Sequence, residues 1–121
     1  VLVEGFGRLL ETITPELARV ANTGYLIGKR FFAPGDAFTD PKRPIEILAL
    51  PIVAPWSKFS ETLAYVGAVK PKLVIGAHDG FLTPKSPFRS LTERMLPAQG
   101  VEVRFPEIGQ PTEVYRTDAL S

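Results

Sequence analysis

Cysteine is absent from the sequence, and histidine, tryptophan and methionine occur once each. A chain without cysteine has no disulfide bonds, no thiolate zinc site and no cysteine nucleophile, so any metal ion must be held by nitrogen and oxygen ligands. The absence of cysteine is compatible with a reducing compartment, and we expect a cytoplasmic protein.

Long apolar runs and runs of like charge are missing as well. The longest apolar stretch, Ile45 to Trp56, is interrupted by Glu46, Pro51 and Pro55, which makes it too short and too broken to span a bilayer. Fourteen basic and 13 acidic residues give a net charge of +1, and the basic residues are scattered. The sequence therefore predicts neither a membrane nor a nucleic-acid partner.

The composition is that of an ordinary globular protein. The chain has 121 residues, of which 45% are hydrophobic and 22% are charged, and this size suits one domain with its own core. Its first residues, Val-Leu-Val-Glu-Gly, include no initiator methionine and no signal-peptide pattern. We therefore expect the sequence to come from the middle of a longer protein.

Short apolar runs bounded by glycine and proline predict strands. Residues 25–27 and 30–33 flank Gly28 and Lys29, which predicts a hairpin because glycine supplies the positive φ of a tight turn. Residues 45–53 are apolar at nearly every position and predict a strand covered on both faces. The pattern predicts only a strand tip at residues 1–3, mostly loop at residues 8–22, and a marginal strand at residues 114–115.

Helical spacing follows the buried strand. Ser57 is a candidate cap for a helix whose apolar stripe comprises Phe59, Leu63, Val66 and Val69. Residues 73–77 then predict another apolar strand, so strand, helix and strand should form a right-handed crossover with parallel strands.

A second helix and a final strand are predicted near the end of the chain. The helix should begin near Ser86 and Pro87, carry Leu91 and Met95, and end around residues 97–100. Residues 101–105 alternate between apolar and charged side chains, which is typical of a half-exposed strand.

Two polar residues directly follow predicted strands, at the edge where open α/β folds place ligand sites. Gly35 allows a tight turn that presents the carboxylate of Asp36, although this carboxylate could equally accept local backbone N–H groups in an Asx-type turn. The imidazole of His78 could bind a metal, act as a general base or serve a structural role.

Two further residues are weaker candidates for the same region. Asp79 could accept a hydrogen bond from the ring of His78, although a partner from elsewhere is equally consistent. Trp56 is most simply a hydrophobic anchor at a strand end, with the wall of a substrate pocket as the alternative. The sequence contains neither a phosphate-binding glycine loop nor a Gly-x-Ser-x-Gly motif.

Four blocks carry a family resemblance, at residues 24–27, 30–36, 47–51 and 70–78, and they read GYLI, RFFAPGD, ILALP and KPKLVIGAH. In order and spacing they resemble the second half of metallo-β-lactamase-fold proteins, in particular the branch similar to the ascorbate-6-phosphate lactonases. The resemblance implies an α/β fold of the αββα sandwich type. Residues 1–121 would supply its C-terminal half, a mixed sheet with helices on one face.

The resemblance also implies a chemistry. In this family the aspartate of the Gly-Asp turn bridges two metal ions and the histidine after the late strand ligates the second, so Asp36 and His78 would bind metal, either zinc or manganese. The implied activity is metal-assisted hydrolysis of a small molecule such as a lactone, a phosphoester or an amide.

Other ligands of that family are missing from this chain. Its His-x-His-x-Asp-His segment is absent, and residues 7–12 contain no upstream ligand histidine. A catalytic zinc usually has three protein ligands, so we expect the chain to be inactive alone. The alternative is a non-catalytic relative that serves binding or assembly.

Half of a sandwich should leave one apolar sheet face without cover. The sequence-based candidates for that face are Leu26, Phe32, Leu48, Leu50 and Val74. We expect it to be covered by the missing N-terminal half or by a second copy of the chain in a homodimer.

Overall fold

The protein is described from a computed structural model, which covers residues 2–9, 21–52, 58–77, 87–107 and 109–113. Strands and helices alternate in its second part, as the crossover pattern predicts. The strands are β1 (Val3–Leu9), β2 (Ala21–Ile27), β3 (Phe31–Ala33), β4 (Ile47–Pro51), β5 (Leu73–Ala77) and β6 (Glu102–Arg104), and the helices are α1 (Phe59–Val69) and α2 (Pro87–Met95).

The six strands form one mixed sheet in sequence order, β1-β2-β3-β4-β5-β6. The pairs β1–β2 and β2–β3 are antiparallel, whereas β3–β4, β4–β5 and β5–β6 are parallel. With α1 between β4 and β5, the predicted crossover with parallel strands is confirmed. The α/β fold class and the mixed sheet are confirmed with it.

The predicted hairpin joins β2 to β3. Gly28 and Lys29 have φ values of 61° and 62°, the combination that a type I′ turn requires. The N–H of Arg30 donates to the carbonyl of Ile27 at 3.3 Å. The glycine takes the left-handed conformation at little cost. In Lys29 the same conformation is unfavourable, because it brings the Cβ close to the following carbonyl oxygen.

The interpretation of the first 22 residues was wrong in part. Strand β1 continues through Gly5 and Gly7 to Leu9, and β2 begins at Ala21, with the two strands in register from Val3 opposite Ile27 to Leu9 opposite Ala21. Hydrogen bonding to a neighbouring strand offsets the low strand propensity of glycine here. A strand stabilised in this way leaves little local signal in the sequence.

The hydrophobic core lies between the sheet and α1. The helix contributes Tyr65, Val66 and Val69. The strands contribute five residues that are each 0% exposed: Leu26, Phe32, Leu48, Leu50 and Val74. Register places this set on a single face, because Phe32 pairs with Leu26 and Leu48, and Leu48 pairs with Val74.

The choice of the uncovered face was therefore wrong. The five residues predicted to need a partner are buried in the core, on the side of the sheet that carries α1. The opposite face carries the intervening strand residues. Register places Val3, Tyr25, Ile27, Phe31 and Ile75 on that opposite face. Toward β1 it is open to solvent, with Val3 54%, Tyr25 48% and Ile27 38% exposed.

Helix ends depart from the sequence-based expectation. The cap residue of α1 is Lys58, which makes no side-chain cap bond, and the predicted cap Ser57 lies outside the described residues. In α2 the buried residue is Thr92, whose hydroxyl donates to the carbonyl of Phe88 at 2.8 Å. Met95, one of the two apolar residues that the predicted helix carries, is exposed.

In the part of the chain that the structure describes, the helices span 11 and 9 residues. A membrane-spanning helix needs about 20 apolar residues. Neither helix is long and apolar enough to cross a bilayer.

Candidate functional site

Four parallel strands end at one edge of the sheet. Strands β3, β4, β5 and β6 run in the same direction, so the segments that follow Ala33 and Ala77 leave the sheet at the same edge. Only β4 lies between β3 and β5, which corresponds to roughly 10 Å between their axes. This carboxyl edge is the position at which open α/β sheets bind ligands.

Asp36 is half-buried at this edge, in the turn that follows β3. The side chain of Asn22, at the start of β2, contacts the turn twice. Its Nδ2 donates to the carbonyl of Pro34 at 2.7 Å, and its Oδ1 accepts the N–H of Asp36 at 3.2 Å. One amide group thus fixes the backbone on both sides of Gly35.

Gly35 permits this close approach of Asn22. Its φ is +73°, and a Cβ at this position would lie 2.5 Å from Oδ1 of Asn22. Gly24 plays a similar part on β2, since a Cβ there would lie 3.0 Å from Cα of Pro34 and 3.1 Å from Cζ of Phe32. The turn that carries Asp36 is therefore packed closely against β2.

The loop after Asp36 is attached to α1. The ring of Phe38 stacks on Tyr65, with centroids 5.0 Å apart and planes at 28°, and the hydroxyl of Tyr65 donates to the carbonyl of Thr39 at 2.5 Å. Within the described ranges, the Oγ1 of Thr39 is a buried side-chain oxygen without a hydrogen-bond partner. These contacts hold both ends of the Gly-Asp turn to rigid elements, β2 before it and α1 after it.

The carboxyl end of β5 is packed against an aromatic ring. A Cβ at Gly76 would collide with the ring of Phe105, which follows β6. The guanidinium of Arg89, in the first turn of α2, lies 4.6 Å above that ring, and its Nε donates to Glu93 at 3.0 Å. The glycine therefore makes room for Phe105 two residues before the position of His78.

Several predicted site residues lie outside the described residues: His78, Asp79 and Trp56. The strands that precede them are described: β4 ends at Pro51, before Trp56 in the sequence, and β5 ends at Ala77, directly before His78. No group of three histidine, cysteine, aspartate or glutamate residues that could hold a metal ion occurs among the described positions. The structure thus locates Asp36, and its proximity to His78 remains a prediction, based on the shared carboxyl edge of β3 and β5.

Sequence reasoning missed Asn22. It falls within residues 8–22, which the sequence pattern predicts as mostly loop, and its partners are 12 and 14 residues away. The hairpin itself was predictable, and pairing β2 with β3 antiparallel brings the start of β2 beside the end of β3. The asparagine near the start of β2 was therefore the one feature of the sequence that could have indicated a contact with the turn after β3.

The chain is similar in sequence to a mycobacterial protein. The chain is 34% identical over 87 residues to Protein Rv0786c of Mycobacterium tuberculosis, an alignment that covers 68% of this chain and 41% of the relative. The chain thus spans about two fifths of that curated relative. The relative's name states no activity. No family model and no solved structure matches the chain.

Proposed function

We propose that this chain is part of a metal-dependent hydrolase that acts through a binuclear metal centre, and that Asp36 and His78 are two of its ligands. The observation that carries the proposal is the position of Asp36. It sits in a closely held turn at the sheet edge where β5 also ends, and the only histidine of the chain follows β5 directly.

The donor atoms suit the proposed metal. A carboxylate and an imidazole are ligands for zinc and also for manganese, and the Asn22 contacts give the backbone of Asp36 a fixed position. Two bound ions would supply an activated water and polarise the scissile group of a lactone, phosphoester or amide. A catalytic zinc usually needs three protein ligands, so the proposal requires ligands from elsewhere in a longer protein.

The opposite sheet face is buried at Ile47 and Leu73 and open to solvent toward β1, and its open part supports a half-sandwich. Helix α1 packs on one face, while the opposite face exposes Val3, Tyr25 and Ile27, and exposed apolar patches of this kind mark interaction surfaces. We propose that the other half of an αββα sandwich covers this face in the parent protein. For the isolated chain, a second copy would take that place. We also propose a cytoplasmic location, because the sequence contains no cysteine.

The ligand role of Asp36 is tested by measuring manganese binding in variants that replace one aspartate with the uncharged asparagine. Asp36→Asn removes the charge without changing the size of the side chain and should lower Mn²⁺ binding in equilibrium dialysis. Asp40→Asn is the matched control, because Asp40 lies four residues on and its Oδ1 accepts the N–H of Lys42 at 2.8 Å, a bond that an asparagine Oδ1 can also accept.

The two variants separate the two candidate functions. Loss of binding in Asp36→Asn but not in Asp40→Asn supports the metal-dependent hydrolase. Equal binding by the unaltered chain and both variants would contradict it and favour a non-catalytic module of the same fold.

A further inference from the structure

We infer that Asn22 is a positioning residue for the metal site, one that fixes the direction in which the Asp36 carboxylate is presented. The inference rests on the proposed function, because it assigns Asn22 a role only if Asp36 binds metal. Its structural basis is the pair of hydrogen bonds from one side-chain amide to the two peptide groups that flank Gly35.

The geometry of the contact is specific to an asparagine. The amide needs a donor, for the carbonyl of Pro34 at 2.7 Å, and an acceptor, for the N–H of Asp36 at 3.2 Å. An aspartate would keep the acceptor and lose the donor, and a threonine would be too short to reach both groups. Asparagine supplies both functions on a single short side chain.

The contact also restrains the one flexible residue of the turn. Glycine at φ +73° has access to many other backbone conformations, and each would point the next side chain in a different direction. With both neighbouring peptide groups bonded to Asn22, those alternatives are removed. Partners that orient a metal ligand typically change metal binding about 10- to 100-fold. We expect an effect near the lower end here, because Asn22 bonds the peptide groups beside Gly35 and not the Asp36 carboxylate.

Asn22 belongs to β2 rather than to the loop that it holds. Strand β2 pairs with β1 along seven residues and with β3 along three, so the amide is anchored to the sheet and not to a second loop. Removal of the side chain should therefore loosen the turn while the sheet remains formed. This separation makes a metal-binding test of Asn22 interpretable.

The test measures Mn²⁺-induced broadening of backbone amide signals in the full chain by NMR. In the unaltered chain we expect broadening centred on residues 35–37. Asn22→Ala should require roughly tenfold more Mn²⁺ for the same broadening. Thr23→Ala, an exposed neighbour on β2, is the matched control and should titrate like the unaltered chain.

A second variant covers the case in which Asn22→Ala fails to fold. Asn22→Thr places a residue with high strand propensity at the same position, and it should show the same loss of Mn²⁺ sensitivity with a native amide spectrum. A merely structural role would lower the unfolding midpoint without moving the Mn²⁺ titration of the folded protein.

Asp36→Asn distinguishes the failure of this inference from the failure of the proposed function. If Asp36→Asn loses the broadening and folded Asn22 variants titrate like the unaltered chain, Asn22 is not a positioning residue. If the broadening is absent from the unaltered chain or unchanged in Asp36→Asn, Asp36 is not a ligand, and both proposals are overturned.

Discussion

A Cβ on Gly35 would lie 2.5 Å from Oδ1 of Asn22. An added Cβ would displace the Asn22 amide from its two hydrogen bonds with the turn, and φ of +73° adds a second restriction on side chains. Gly35→Ala should therefore reduce the free energy of unfolding by about 3 kcal/mol, from left-handed strain and the clash together.

Gly100→Ala separates those two contributions. Gly100 has φ of +81° with no atom within 4 Å of an added Cβ, so this variant should cost only the left-handed strain, about 1 kcal/mol. Urea unfolding of both variants gives the comparison. Equal losses would show that the Asn22 contact contributes nothing to the restriction at position 35.

Lys70 ends α1 in the left-handed conformation, with φ of 54° and ψ of 53°, and its N–H donates to the carbonyl of Val66. Glycine is the residue preferred at such a helix end. Lys70→Gly should stabilise the protein by about 0.5–1 kcal/mol, because the relief of strain exceeds the entropy lost by a glycine.

Lys72→Gly is the control for Lys70→Gly. Lys72 is also exposed, and it has no positive φ, so a glycine there brings the entropic cost without any relief of strain. It should be neutral or destabilising in the same urea titration. A stabilisation of equal size in both variants would contradict the explanation.

The exposed apolar sheet face should drive association of the isolated chain. We expect sedimentation velocity to show a dimer and Ile27→Lys to shift it toward the monomer mass of 13.3 kDa. Met95→Lys is the matched control, because Met95 is 37% exposed against 38% for Ile27 but belongs to α2. A monomer at every concentration of the unaltered chain would remove the basis for a half-sandwich.

The crossover could be predicted from the sequence, whereas the faces of the sheet could not. Helix α1 shows helical spacing, and β4 and β5 are short apolar runs, so element type and parallel direction followed from local pattern. Strand β4 is apolar at every position and therefore has no alternation of period two. Which set of its side chains faces α1 depends on how the sheet packs against that helix, and the residue pattern of β4 by itself does not specify this.

The candidate site likewise contains residues that could be predicted from the sequence and residues that could not. Gly35 and Asp36 stand out locally because a glycine-aspartate turn follows an apolar strand. Asn22 and Phe105 do not, because their contacts with Asp36 and Gly76 arise only when neighbouring strands are paired. Residues that support a site from another strand are found by tracing the register, here of β2 on β3 and of β6 on β5.

The isolated chain should bind zinc weakly and hydrolyse none of the candidate substrates. One histidine and no cysteine leave too few ligands for a closed site, so we expect a dissociation constant above roughly 1 µM in calorimetric titration. Submicromolar zinc binding by the monomer would show that the chain itself holds a complete ligand set.

Asp36 and His78 are proposed to bind the same metal centre, and the single histidine of the chain allows a direct measurement. The imidazole nitrogens of His78 can be followed by ¹H–¹⁵N NMR as Zn²⁺ is added, without overlap from any other histidine. We expect a shift that saturates in the unaltered chain and that requires at least about tenfold more zinc in Asp36→Asn. An identical zinc titration of His78 in both proteins, or no shift in either, would contradict it.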